Sequence, residues 1–148
     1  LSAGKANDAL RACEAIIDDD ATAAYTGELA PAYWSALLAL GRKAKLEAQL
    51  EKAAKSGDRF SVGAALTLRG DVILKEGAES NDAAKTALTD GYLRVVFLYA
   101  DDEVADRLRP EALYKAAHCF DKLGQSGRAD AMRTELKQNY AASPWAAR

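Results

Sequence analysis

The chain is poor in the residues that staple, break or catalyse. Among its 148 residues are two cysteines, three prolines, one histidine and one methionine. Cys13 and Cys119 lie far apart, with neither metal nor redox spacing, which argues against a disulfide framework. Both sit among alanines and apolar residues in helical patterns, so each is expected to be a buried free thiol behaving as a small hydrophobe. Charge of one sign is missing too. Twenty basic residues against 22 acidic ones give a net charge of −2, which offers no field for nucleic acid or an anionic membrane. No apolar run approaches the ~20 residues that span a bilayer, and "YLRVVFLYA" is short and carries Arg94. The first residue is Leu1 and no signal-peptide pattern follows, so a fragment of a longer or processed protein is expected.

Motifs that carry chemistry are equally scarce. There is no Gly-rich phosphate loop, zinc spacing or Ser/His/Asp arrangement, and no cofactor is expected. "DDD" (Asp18 to Asp20) invites a calcium reading, but Ala23 stands where the loop needs glycine and Leu29 where it needs a bidentate glutamate. A solvated helix end is the reading of that segment, and no metal is expected. His118 has no second histidine or nucleophile motif beside it and does not read as catalytic.

What remains is a helical alphabet. Hydrophobic residues make up 49% and charged ones 28%, ordinary for a folded protein. Alanine, leucine, lysine, glutamate and arginine dominate, and no run alternates apolar with polar as a strand would. The expected class is all-α. A leading helix over about residues 3 to 17 puts Ala6, Leu10, Cys13, Ile16 and Ile17 on one face. Further helices are expected from Pro31 to Gly41, Lys43 to Lys55, Arg59 to Lys75, Asp82 to Tyr99, Glu111 to Leu123 and Gly127 to Tyr140. "ESND" supplies caps before the helix from Asp82. The chain is expected to break or restart at Pro110.

Parts of this series repeat. "LGRKAKLEA" from Leu40 parallels "LGQSGRADA" from Leu123. "AALTLRGDVILKEG" (Ala64 to Gly77) and "EALYKAAHCFDKLG" (Glu111 to Gly124), aligned on their last glycine, share Ala-Leu at Ala65-Leu66 and Ala112-Leu113. They also share a small residue at Gly70 and Ala117, a bulky one at Ile73 and Phe120, and lysine at Lys75 and Lys122. A small side chain in mid-helix permits close crossing, and large ones fill the adjoining groove.

These residues resemble the tetratricopeptide repeat family, whose unit of ~34 residues is a helix–turn–helix. Ala129 matches the small residue early in the second helix, and "NYAASPWA" and "LYADD" resemble the second-helix endings of a variant common in bacterial cell-envelope proteins. The likeness covers about residues 60 to 146. It departs where the unit from Ala64 to Tyr99 has about six extra residues, where Arg69 and Arg133 replace apolar residues, and where Trp34 replaces a small one. It implies a right-handed α–α superhelix, a solenoid of antiparallel helix hairpins forming one domain over residues 1–148. Its parts would be a leading helix over about 1–20, a degenerate hairpin over 28–56 and tetratricopeptide-like hairpins over 59–100 and 103–146.

The resemblance also implies a non-catalytic scaffold that binds a peptide or protein segment on a concave face. The face would be lined by Thr67, Asp71, Leu74 and Lys75 from one unit and Tyr114, His118, Asp121 and Lys122 from the next. Mixed charge there differs from the strongly basic clamps of some family members. Trp34 and Trp145 are candidate partner anchors, against core packing or end-capping. No nucleic-acid partner or membrane insertion is expected. The alternatives are self-association through exposed end faces, giving a homo-oligomer, and an accessory domain of an enzyme whose catalytic part lies elsewhere. The expected compartment is the periplasm or cell envelope, otherwise the cytoplasm.

Overall fold

A computed structural model describes residues 3–148. Every regular element among them is helical. In order these are α1 (Ala3–Ile17), a 3₁₀ turn (Ala21–Ala24), α2 (Leu29–Ala39), α3 (Lys43–Lys55) and α4 (Arg59–Glu76). A helical run then passes without a break through α5 (Asn81–Ala87), a π turn (Leu88–Tyr92) and α6 (Leu93–Leu98), and α7 (Ala105–Lys122) and α8 (Ser126–Asn139) close the series. The chain divides within α4 into two compact units, one ending at Leu68 and the other starting at Arg69.

In the first unit α1 packs on α2, and α2 on α3. Trp34 is sealed at the centre, with its indole Nε1 donating to the Ala24 carbonyl at 2.8 Å. It is therefore a core residue and not a surface anchor. Asp20 does not stand idle at a helix end: it caps the 3₁₀ turn, accepting from the Thr22 amide at 3.0 Å and the Thr22 hydroxyl at 2.7 Å. Those bonds lower its carboxyl below the usual range. Pro31 falls at the third position of α2 and not the first, still within the turn whose N–H groups lack intrahelical acceptors.

The repeated Leu-Gly steps fold alike. Gly41 and Gly124 both adopt left-handed φ, +67° and +70°. The next amide bonds back five residues, Arg42 to Leu37 and Gln125 to Phe120, each at 2.9 Å, which closes a helix as in the Schellman motif. Five residues beyond each glycine a buried side chain seats the following helix, Leu46 and Ala129. The third such junction departs from the sequence alignment by one residue. There Ala78, at φ +46°, takes the left-handed place, and the Glu79 amide bonds Leu74 at 2.8 Å. Gly77 serves another end, because a Cβ on it would collide with Ala83 of α5. The structural equivalents of Gly124, Phe120 and Ala129 are thus Ala78, Leu74 and Ala83.

The second unit packs α5, the π turn and α6 against α7, and α7 against α8. Ser80 caps α5, accepting from the Ala83 amide at 3.1 Å, as the "ESND" signal predicts. Its core is rich in small side chains, with Ala84, Ala87, Ala116 and Ala129 fully buried beside Leu88, Tyr92, Cys119 and Phe120. Alanine permits close helix approach, and the large rings fill what remains. The break expected at Pro110 does not occur: α7 runs through it, with Pro110 buried. Only the Asp106 carbonyl loses its intrahelical donor, and exposed Asp106 leaves that oxygen within reach of water. Beside it Arg109 is 7% exposed. Its guanidinium donates to the Val96 carbonyl (3.0 Å), the Tyr140 hydroxyl (2.6 Å) and the Glu135 carboxylate, tying α6, α7 and α8 together.

Gly70 of α4 is the tightest point. A Cβ there would lie 2.5 Å from Cε1 of the fully buried Tyr92 ring and 2.6 Å from Cζ. Gly70→Ala should therefore destabilise the chain by about 1–2 kcal/mol, the overpacking cost exceeding the helix-propensity gain of roughly 1 kcal/mol. Gly127→Ala in α8, where the space is open, should be neutral or stabilising. Urea denaturation of both variants checks the contrast.

Candidate functional site

In the second unit, residues of α4 and α7 line a groove of about 710 Å³. Asp71 and Leu74 come from α4, and His118, Asp121 and Lys122 from α7. Five of the eight residues expected on the recognition face therefore line one groove. Tyr114 lies instead in a neighbouring cleft of about 300 Å³, which His118 also lines. Lys75 is exposed on α4 but not part of the groove lining. Thr67 belongs to the first unit and is 5% exposed, its hydroxyl donating to the Gly63 carbonyl at 3.3 Å.

Sequence reasoning missed Glu79, Tyr92, Lys115 and Cys119, which complete the lining. Tyr92 and Lys115 fix its floor. The Tyr92 hydroxyl donates to Asp71 Oδ1 at 2.7 Å, and Lys115 Nζ donates to Asp71 Oδ2 at 2.6 Å. Glu111 Oε1 is 2.5 Å from the same ammonium. Both Asp71 oxygens are thus occupied and the lysine is held between two carboxylates. Burial alone would depress the Lys115 ammonium, but Asp71 and Glu111 outweigh it and hold its pKa above the ordinary lysine value. Burial, reinforced by the Asp71 charge, pushes the Tyr92 phenol far up. Burial likewise raises the Cys119 thiol to about 11, so it is protonated and unreactive at neutral pH. Cys13, also buried, is raised as well.

The rim pairs are looser. Lys122 reaches Glu79 Oε2 at 3.3 Å, and Arg133 of α8 bonds Asp121 and, at 3.2 Å, Asp130. His118 Nε2 lies 3.2 Å from the Tyr114 hydroxyl, with the two rings edge-to-face at 5.0 Å. The Trp145 ring packs on Tyr114 at 5.2 Å, with Lys115 Nζ 5.8 Å from its centroid. Trp145 thereby packs on the middle of α7.

No family model, curated protein or solved structure matches this chain. What the site can do must therefore be argued from its chemistry. Among the described residues no group of three or more His, Cys, Asp or Glu side chains could hold a metal ion. No helix there is long and apolar enough to cross a membrane. The groove presents a fixed carboxylate–ammonium floor, an apolar side chain at Leu74 and opposite charges along its rim. Such a surface can orient a polar ligand with apolar side chains.

The floor makes stability sensitive to alkali. Unfolded chains release cysteine, tyrosine and lysine protons near pH 9, 10 and 10.5, whereas the folded chain holds all three longer. Above pH 9 the unfolded state binds fewer protons, so stability falls as pH rises. Urea midpoints should be flat from pH 6 to 8 and drop between about pH 9 and 11, less steeply in Tyr92→Phe. Lys115→Met should cost about 2 kcal/mol at pH 7, because two carboxylates lose their shared cation.

Proposed function

We propose that this chain is a non-catalytic recognition module that holds a peptide or protein segment in the α4–α7 groove. The observation that carries the proposal is the groove itself, whose floor is pre-set by the Tyr92–Asp71–Lys115–Glu111 contacts. A binding surface already ordered before the ligand arrives loses little entropy on association. The helix–turn–helix junctions that share one hydrogen-bond pattern support a tetratricopeptide-like repeat organisation. Continuation of the hairpins as a right-handed superhelix is part of the same proposal, as is a place within a larger bacterial envelope protein.

A displayed random-peptide library selected on the chain tests this reading. Selected peptides should bind Lys122→Glu and Asp121→Lys at least tenfold more weakly, and Lys85→Glu, outside the groove, unchanged. Equal binding to all three variants would sink the groove as the recognition surface.

Phe97 and Leu98, adjacent near the end of α6 and 69% and 60% exposed, favour a second reading, self-association. Sedimentation velocity would then give a weight that rises with concentration, and Phe97→Glu would abolish the rise. A single species across the range rules self-association out.

A further inference from the structure

The cleft beside the groove differs from it in charge. Among its lining residues are Tyr114, His118, Arg133, Lys137, Trp145 and Arg148, and none of the lining residues is acidic. This occurs in a chain whose net charge is −2, next to a groove that contains Asp71, Glu79 and Asp121. Arg133 is already engaged by Asp121 and Asp130, which leaves Lys137 and Arg148 to set the local potential. The Arg148 guanidinium lies over the Trp145 ring at 4.2 Å from its centroid, a cation–π contact that holds the charge at the cleft. Tyr114 and Trp145 give the same space an aromatic wall.

A cleft of about 300 Å³ is at the small end of ligand sites. Its chemistry suits a carboxylate on a short aliphatic stem, with methylenes against the rings and the head toward the two cations. His118 lines both spaces, so a segment lying in the groove can continue into the cleft. We propose that the cleft receives an aspartate or glutamate side chain of the bound peptide, and so fixes that peptide's register and direction. This rests on the peptide-groove reading and adds the acidic residue to it.

The test uses N-acetyl-triglutamate amide, its triglutamine counterpart and inorganic phosphate as probes. The readout is the NMR resonance of the Trp145 indole N–H, with the sealed Trp34 indole as the internal control. The triglutamate probe should move the Trp145 signal and leave Trp34 in place, and triglutamine should move neither. The response should shrink as salt is raised from about 0.05 to 0.5 M, as screening tightens. Lys137→Glu/Arg148→Glu should weaken it at least tenfold, with unchanged resonances of the buried Tyr92 and Phe120 rings reporting an intact second unit. An equal response to triglutamine, an equal response to phosphate, or no effect of the double variant would each overturn the assignment. A triglutamate response with library peptides indifferent to the groove variants would defeat the groove reading alone. Groove-dependent peptides with a silent Trp145 would defeat the cleft alone.

Discussion

The second unit depends on the seating of one aromatic ring on one glycine. Tyr92 is fully buried with its ring against the Gly70 backbone, an approach that any Cβ would prevent. Close packing is the first consequence, since interiors tolerate neither the void nor the overlap that another residue would bring. Orientation is the second. The ring carries its hydroxyl to Asp71, the residue next to Gly70, and Asp71 in turn fixes Lys115. A packing contact thereby becomes an electrostatic one, and the groove floor inherits the precision of the core.

The π turn explains how Tyr92 reaches that seat. Buried residues in this run come in pairs four apart: Ala83-Ala84, Ala87-Leu88, Gly91-Tyr92 and Val95-Val96. An α-helix advances 3.6 residues per turn, so a strict four-residue spacing drifts about 40° around the helix at each step. The wider turn over Leu88–Tyr92 takes back part of that drift and keeps the later pairs facing α7. π turns are uncommon and tend to mark functional sites, and this one delivers a groove residue.

Most helices were legible in the sequence because stops such as Ser56-Gly57-Asp58 and Leu123-Gly124 interrupt strong periodicity. Three features were not. Pro110 reads as a break, yet α7 gives up one exposed backbone bond and keeps its packing. Gly77 reads as the turn glycine, but contact with Ala83 requires glycine there while Ala78 bears the left-handed strain. That slip does not account for Thr67, because its neighbour Leu68 is buried as well, and Tyr114, its counterpart on α7, lies outside the groove. Lys115 was missed because it reads as a surface residue. Only Asp71 and Glu111 together make its burial affordable, and their proximity is tertiary. The repeated-pair signal in α5 and α6 was the one available clue to Tyr92.

The ion pairs of the groove divide by exposure, and that division sets what a ligand can exploit. Lys122–Glu79 and Arg133–Asp121 are solvent-facing, and pairs of that kind hold with roughly 0–1 kcal/mol, so an arriving polar group can exchange with either partner at little cost. Asp71–Lys115 is sheltered, with side chains 24% and 20% exposed, and also bonded to Tyr92 and Glu111. Opening it would strand charge away from water. A ligand must therefore fit the floor as it stands and can renegotiate only the rim. Mixed charge arranged in that way favours discrimination over raw affinity, because a wrong sign at the rim meets a like charge and the floor cannot move to relieve it. The acid-free cleft is the complement of this arrangement. Where the groove satisfies its own charges, the cleft presents Lys137 and Arg148 with no acidic side chain in its lining, and on the proposed reading that asymmetry would give an extended ligand a preferred end.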